Sequence, residues 1–168
     1  MQVTEEQLDL LRACLNKIYD ECDSIDASGT TFEFNGERIT VRKLFEVETT
    51  AYMLYLTISD RIVEQAEVDI INKIMGRTYS LDDCLDLVDA HGMRDPKFGE
   101  RTPVSFKLLC DNAGERSADM ADTLIAFYDV LGVVLATSDG AFALPEEEAY
   151  KNYLRLLRGY KALKEVDA

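Results

Sequence analysis

Apolar residues recur at spacings of three and four positions along nearly every long segment of this chain, and this period constrains the fold more than any other feature. Such spacing places apolar side chains on one face of an α-helix, whereas a half-buried strand requires strict alternation. The first segment shows the pattern most regularly, at Leu8, Leu11, Leu15, Ile18, Cys22 and Ile25. We therefore predict a mostly α chain of about seven helices, with roughly 60–70% of its residues helical.

The stretch TTFEFNGERITV, residues 30–41, departs from the helical period. Phe32 and Phe34 alternate with polar residues before Asn35-Gly36, and the alternation resumes after that pair. Asn-Gly between two alternating segments favours a two-residue hairpin turn, because both residues adopt positive φ readily. We predict one short β-hairpin near residues 31–41, which must pack on a helical body because an isolated hairpin is only marginally stable.

Local signals predict where the helices begin and end. Thr4 with Gln7, and Ser80 with Asp83, have the spacing of capping boxes. Further helix starts are predicted at the N-cap Thr102, with Pro103 as the first helical residue, at the N-cap Ser117 and at Pro145, and further helix ends at Gly76 and Gly92. A chain of 168 residues has the length of one domain. We predict that residues 1–44, an N-terminal helix and the hairpin, form an extension packed on a helical domain of residues 45–168, in a single globular unit.

The charge of the chain limits its partners. It has 32 acidic and 18 basic residues, a net charge of −14 and an isoelectric point of about 4.4. Phosphate backbones and anionic lipids repel such a surface, so we expect neither nucleic acid nor a membrane as partner. A protein partner, a second copy of the chain, or cations held by carboxylates remain.

The four cysteines, Cys14, Cys22, Cys84 and Cys110, lie within apolar helical patterns and lack C-x-x-C spacing. An even count also fits two disulfides. No basic segment followed by an apolar one points to secretion, and no apolar run approaches the roughly 20 residues that span a bilayer. We therefore predict four reduced, buried thiols in a cytoplasmic protein.

The regular stripe from Leu8 to Ile25 fits two arrangements. It can pack on the core of its own chain, or it can pair with the same helix of a second copy, as such seams do in coiled coils. We predict a homodimer with the helix of residues 4–26 in or near its interface.

Two Ser-Asp steps occur about 79 residues apart, each between an apolar helix and an amphipathic one. The first is followed by Glu67 seven positions after Asp60, and the second by Glu146 seven positions after Asp139. The repeat predicts two related helix–corner–helix halves within one domain, because the repeats of solenoid proteins are shorter.

The second corner also matches the later half of an EF-hand loop, with Asp139 at the fifth position and Glu146 at the twelfth. The first position, however, is Leu135, and in the earlier corner it is Leu56. Calcium requires six to eight oxygen ligands, so we predict no tight calcium binding. The corner carboxylates then fit either a structural role at the turn or a site for a cation or ligand. As candidate metal ligands we take Asp60, Glu67, Asp139 and Glu146.

An apolar helix that ends in Asp-Gly, followed by an apolar residue and by Glu seven positions after the Asp, resembles the TerB-like family, which is named for tellurite resistance. Asp139, Gly140 and Glu146 match this motif, and the earlier corner matches it with Arg61 in place of the glycine.

The resemblance covers roughly residues 45–92 and 117–164. It implies an all-helical fold with two related halves, and a role in stress-response or phage-defence systems. Some members of the family carry acidic surface residues proposed to bind metal, so the resemblance also implies a possible divalent-cation site at the corners.

The C-terminal helix is unusually basic for this chain, and it too fits two arrangements. Its cations are Lys151, Arg155, Arg158, Lys161 and Lys164. They can lie on the acidic body of their own chain, or they can form a docking face for an acidic partner.

Few residues suggest catalysis. His91 is the single histidine and precedes Gly92 at a predicted helix end, where a partly cationic ring favours the helix dipole. No glycine-rich phosphate-binding motif occurs. We therefore predict a non-enzymatic helical binding or scaffold module without a resident cofactor. The alternative is a protein that binds a metal or small ligand through its acidic helix corners.

Overall fold

The computed structural model of the chain describes residues 4–34, 36–57, 64–90, 99–136 and 144–167. Within these ranges lie seven α-helices and one two-stranded hairpin, and 84% of the described residues are helical. The predictions of a mostly α chain, of about seven helices and of an N-terminal helix followed by a hairpin are confirmed.

Each predicted helix has a counterpart in the structure. In chain order the elements are α1 (Glu5–Ala27), β1 (Phe32–Phe34), β2 (Glu37–Ile39), α2 (Val41–Thr57), α3 (Gln65–Met75), α4 (Leu81–Ala90), α5 (Val104–Asn112), α6 (Ser117–Ala136) and α7 (Leu144–Asp167). A 3₁₀ turn over Gly114–Arg116 joins α5 to α6.

Helix α1 begins at the predicted capping box and buries its apolar stripe. The Thr4 hydroxyl accepts the N–H of Gln7, and the Gln7 side chain accepts the N–H of Thr4, each at 3.1 Å. Each residue of the stripe from Leu8 to Ile25 is at most 8% exposed. The stripe lies in the core, where α1 packs most extensively against α6. Of the two arrangements, the intrachain one is therefore found, because a stripe buried in its own core is not free to pair with a second copy. The predicted homodimer needs another surface, and it stays a prediction.

The predicted hairpin is antiparallel. Its register pairs Phe32 with Ile39, Glu33 with Arg38, and Phe34 with Glu37. Gly36 in the turn has a φ of +82°, a conformation that side-chain-bearing residues avoid. Phe32 and Ile39 are half-buried, and Phe32 packs against the helical core, so the hairpin lies on the body as expected.

Helices α2 and α6 cross at the centre of the molecule. α2 contacts all six other helices that the structure describes. At the crossing, Phe45 lies 5.9 Å from Phe127 and Tyr52 lies 5.0 Å from Tyr128, measured between ring centroids, and all four rings are buried. Burial of such large side chains contributes about 1.5–3 kcal/mol each, so this crossing anchors the fold.

Two helix starts differ from prediction. Thr102 was the predicted N-cap of α5, with Pro103 as its first helical residue, but Pro103 is the N-cap and has an extended ψ of 139°. Ser117 was the predicted N-cap of α6, but it already has helical φ and ψ of −56° and −45°. The 3₁₀ turn runs directly into α6, so no extended capping residue separates them.

The most apolar helix, α6, carries Asp119, Asp122 and Asp129 among its 20 residues. In the part of the chain that the structure describes, no helix is both long and apolar enough to cross a membrane.

Candidate functional site

The structure describes one of the four predicted corner carboxylates completely. Asp60 and Asp139 lie outside the described residues, and of Glu146 only the backbone, within α7, is described. Glu67 is 3% exposed, and its carboxylate accepts the N–H of Glu64 at 3.0 Å. This side chain therefore caps the start of α3, the structural role weighed for these corners. His91 and Gly92 also lie outside the described residues.

Within residues 4–34, 36–57, 64–90, 99–136 and 144–167, no group of three or more His, Cys, Asp or Glu side chains is placed to hold a metal ion. The four cysteines are free and buried, as predicted. Burial raises the pKa of Cys22 and of Cys110 to about 12, so neither thiol is a nucleophile near neutral pH.

Two of the five basic side chains of α7 pair with carboxylates on other helices of the same chain. Lys161 Nζ lies 2.6 Å from Asp122 of α6, and Lys164 Nζ lies 2.7 Å from Asp111 of α5. Lys151 pairs with Glu147 within α7 at 2.6 Å. Lys161 and Lys164 therefore follow the first of the two arrangements considered for the helix, a basic element lying on an acidic body, whereas Lys151, Arg155 and Arg158 are exposed.

A shallow groove of about 230 Å³ lies between α7 and the junction of α5 with α6. The residues that line it include Cys110, Ala121, Tyr160, Lys161 and Lys164. Because Asp122 and Asp111 already pair with these lysines, the groove offers no unbalanced positive charge to an anion.

Sequence reasoning missed the polar group with the most unusual placement, Glu48 of α2. Its carboxylate accepts the N–H of Val104 at 2.9 Å and the N–H of Ser105 at 2.6 Å. These are the first amides of α5, whose own N-cap, Pro103, makes no side-chain cap bond. A glutamate 56 positions earlier in the chain thus satisfies two amides that the helix itself leaves unbonded.

The surroundings of Glu48 are mostly buried. Burial raises the pKa of its carboxyl group above 4.5, although the hydrogen bonds from Ser105 and Val104 act to lower it. Beside it, Thr49 shares a 3.1 Å hydrogen bond with the hydroxyl of Tyr128, and Tyr52 donates to the Tyr128 carbonyl oxygen at 3.0 Å. No local sequence signal predicts these polar contacts, because the sequence around Glu48 does not distinguish it from an ordinary exposed glutamate on a helix.

A second carboxylate bound by a residue far along the chain is that of Glu21 on α1, which is buried. Arg116, in the 3₁₀ turn, binds both of its oxygens, at 3.0 and 3.2 Å. Bidentate geometry of this kind is the strongest form of an arginine–carboxylate pair, so it ties the start of α6 to α1.

Comparison with protein-family models, with curated proteins and with solved structures finds no match to this chain.

Proposed function

We propose that the protein is a non-enzymatic helical binding module, TerB-like in its corner motif, that acts through protein–protein contacts in a stress- or defence-related system. The observation that carries this proposal is the charge of its surface. The net charge is −14, and two of the five cations of α7, Lys161 and Lys164, pair with carboxylates of the same chain. Charge complementarity therefore favours a partner with a basic surface over an acidic one.

The acidic face of α4 offers a direct test. Asp82, Asp86 and Asp89 are all exposed on this helix, so replacing them by Asn removes charge without disturbing the core. Tagged full-length chain is used to capture partners at about 0.1 M and about 1 M salt, and each captured protein is then titrated in purified form. We expect a basic partner whose affinity falls at high salt and in the triple variant. Binding unaffected by both changes, or no partner other than acidic proteins, contradicts the proposal.

The matched control is a variant with the same loss of charge elsewhere. Glu5, Glu6 and Asp20 are exposed on α1, and replacing them by Gln, Gln and Asn removes three carboxylates from a different helix. Equal weakening by both variants assigns the binding to net charge, whereas a larger loss in the α4 variant assigns it to that face.

The alternative function is a divalent-cation or small-ligand site at the corners, formed by Asp60, Glu67, Asp139 and Glu146. The family motif supports it at the second corner, whereas at the first corner Glu67 is engaged as a helix cap. The melting temperature should then rise with calcium, magnesium or manganese but not with monovalent salt at the same ionic strength. Equal melting temperatures in all these salts count against a cation site.

The proposed homodimer is tested separately, by light scattering across a range of concentrations. A mass of one chain, 19.0 kDa, at every concentration excludes self-association.

A further inference from the structure

The outer side of α7 carries two arginines whose charge no carboxylate of the described chain balances. Arg155 and Arg158 are both exposed, and the guanidinium group of Arg155 bonds to the neutral side chain of Asn152 at 3.0 Å. Within the described residues, no other helix or strand carries two cations that lack a carboxylate partner. On a chain with a net charge of −14, two such groups one turn apart favour contact with carboxylates of another molecule.

An apolar row lies beside these arginines on the same helix. Leu156 and Leu163 are seven residues apart, so they lie on one side of α7, two turns from each other. Leu156 is half-buried, and Leu163, at 66% exposure, is the most exposed large apolar side chain in the part of the chain that the structure describes. Arginines that border exposed leucines are typical of a protein interface, where polar groups surround an apolar centre.

The outer side of α4 has the opposite charge. Asp82 and Asp86 are exposed one turn apart, and neither forms an ion pair with a described lysine or arginine. Leu85, which is half-buried, lies next to Asp86 on this helix. Residues three or four apart are separated by about 4.5–6 Å along a helix axis, so the two aspartates match the two arginines in spacing.

We propose that α7 of one copy docks on α4 of a second copy, with Arg155 and Arg158 against Asp82 and Asp86, and that a two-fold axis repeats this contact. Both sides of the contact are present on this chain and are unpaired within its described part, which favours a second copy over an unrelated partner. α2 packs against both α4 and α7, so the two surfaces flank the same helix, as a contact repeated by a two-fold axis requires.

This surface takes the place of the α1 stripe, which is buried in the core of its own chain. The proposal rests on the proposed homodimer and names its interface. Repulsion between two chains of net charge −14 opposes association, but salt at about 0.15 M screens it beyond about 8 Å. Exposed ion pairs contribute little singly, so we expect a reversible dimer that dissociates on dilution.

Charge reversal on the purified full chain tests the interface. Arg155→Glu with Arg158→Glu reverses α7, and Asp82→Lys with Asp86→Lys reverses α4. Light scattering at about 0.15 M salt should show a wild-type mass that rises with concentration from 19.0 kDa toward twice that value. Each reversed chain alone should dissociate at least about tenfold more readily, because like charges then meet. An equimolar mixture of the two reversed chains should associate as wild type does, because both contacts again join opposite charges.

Two comparisons separate this interface from an effect of net charge. Lys43→Glu with Lys73→Glu makes the same change in net charge as the α7 reversal, on exposed residues of α2 and α3, and should weaken association less. Each reversal changes the charge by two units, so the reversed α4 chain is four units less negative than wild type, and repulsion does not explain its weaker association. Circular dichroism confirms that each variant is folded, and Asp86→Lys alone replaces the double change if that chain loses helix.

A wild-type mass of 19.0 kDa at every concentration overturns both the homodimer and this interface. Wild-type association that survives either reversal, or a mixture of reversed chains that stays monomeric, overturns the interface and leaves the homodimer standing. Neither result affects the proposed binding of other proteins, because the purified chain is measured alone.

Discussion

Helices α4 and α5 both begin with carboxylate hydrogen bonds to backbone amides, but the carboxylates come from different distances along the chain. At α4, Asp83 accepts the N–H of Ser80 at 2.9 Å, and the Ser80 hydroxyl accepts the N–H of Asp83 at 3.0 Å. At α5, Glu48 accepts hydrogen bonds from the N–H groups of Val104 and Ser105, which lie 56 and 57 positions later in the chain. Helix α2 has both kinds of cap, because Asp26 of α1 accepts the N–H of Val41 at 2.8 Å and the Thr40 hydroxyl accepts the N–H of Lys43 at 3.2 Å.

The difference is one of dependence. A capping box within four residues can form as soon as its own turn forms, whereas a cap supplied by another helix exists only after the two helices have packed. The pKa values of the two carboxyl groups are also shifted in opposite directions. Hydrogen bonds from exposed Ser80 lower the pKa of Asp83 below 3.8, whereas burial raises the pKa of Glu48 above 4.5.

The largest effect is expected for Glu48→Ala. It leaves two amides of α5 without an acceptor, the part-buried N–H of Ser105 and the exposed N–H of Val104, and an unsatisfied buried donor costs about 1–3 kcal/mol. We expect a loss of about 2 kcal/mol in the free energy of unfolding, measured by urea denaturation. Glu148→Ala, on the exposed face of α7, is the control and should change stability by less than about 0.5 kcal/mol. If both variants lose the same small amount, the distant cap contributes nothing beyond a local one.

A smaller effect is expected for Asp26→Ala. Its carboxylate accepts the N–H of Val41 at 2.8 Å and that of Arg42 at 3.2 Å, but the local cap of α2 by Thr40 remains when Asp26 is removed. Removal of a capping side chain costs about 1 kcal/mol, and we expect that loss here, by the same denaturation experiment. Asp20→Ala, an exposed carboxylate on the same helix, is the matched control. A loss as large as that of Glu48→Ala would show that the local cap by Thr40 does not reduce the dependence of α2 on Asp26.

The local cap of α4 should contribute least. Ser80→Ala removes the hydroxyl that accepts the Asp83 N–H, but the site is exposed and water can replace it. We expect a loss of about 0.5 kcal/mol, at the low end for capping residues, and Ser80→Thr should recover most of it. Failure of threonine to recover stability would mean that the hydroxyl is not what stabilises the start of α4.

The opposite pKa shifts of Asp83 and Glu48 predict opposite pH dependences of stability. Comparison of wild type with an amide variant at each position can detect both. The advantage of wild type over Asp83→Asn should be present above pH 3.8 and disappear as the pH falls through the lowered pKa of Asp83. The advantage of wild type over Glu48→Gln should instead grow as the pH falls toward 4.5. Unfolding free energies measured across this range by urea denaturation test both, and profiles of the same sign contradict the distinction between local and distant caps.

The helices and the hairpin were largely predictable from the sequence, whereas the polar contacts between distant segments were not. The stripe from Leu8 to Ile25, the hairpin with its turn at Gly36, and the end of α3 at Gly76 all follow from spacing and local chemistry. Thr102 as the N-cap of α5 was wrong because the true acceptor, Glu48, lies on another helix. The motif at Asp60 and Asp139 remains a prediction, because both residues lie outside the described part.

What the sequence by itself determined is therefore the local structure: which segments are helical, which face of each is apolar, and which ends carry their own caps. Only the tertiary structure decided what those faces and ends meet. It placed the α1 stripe in the core of its own chain, turned Lys161 and Lys164 toward Asp122 and Asp111, and set Glu48 at the start of α5. The physical reason is the range of each interaction. Periodicity and local capping act within about four residues of the sequence. Contacts between distant segments depend on distances that exist only once the helices have packed.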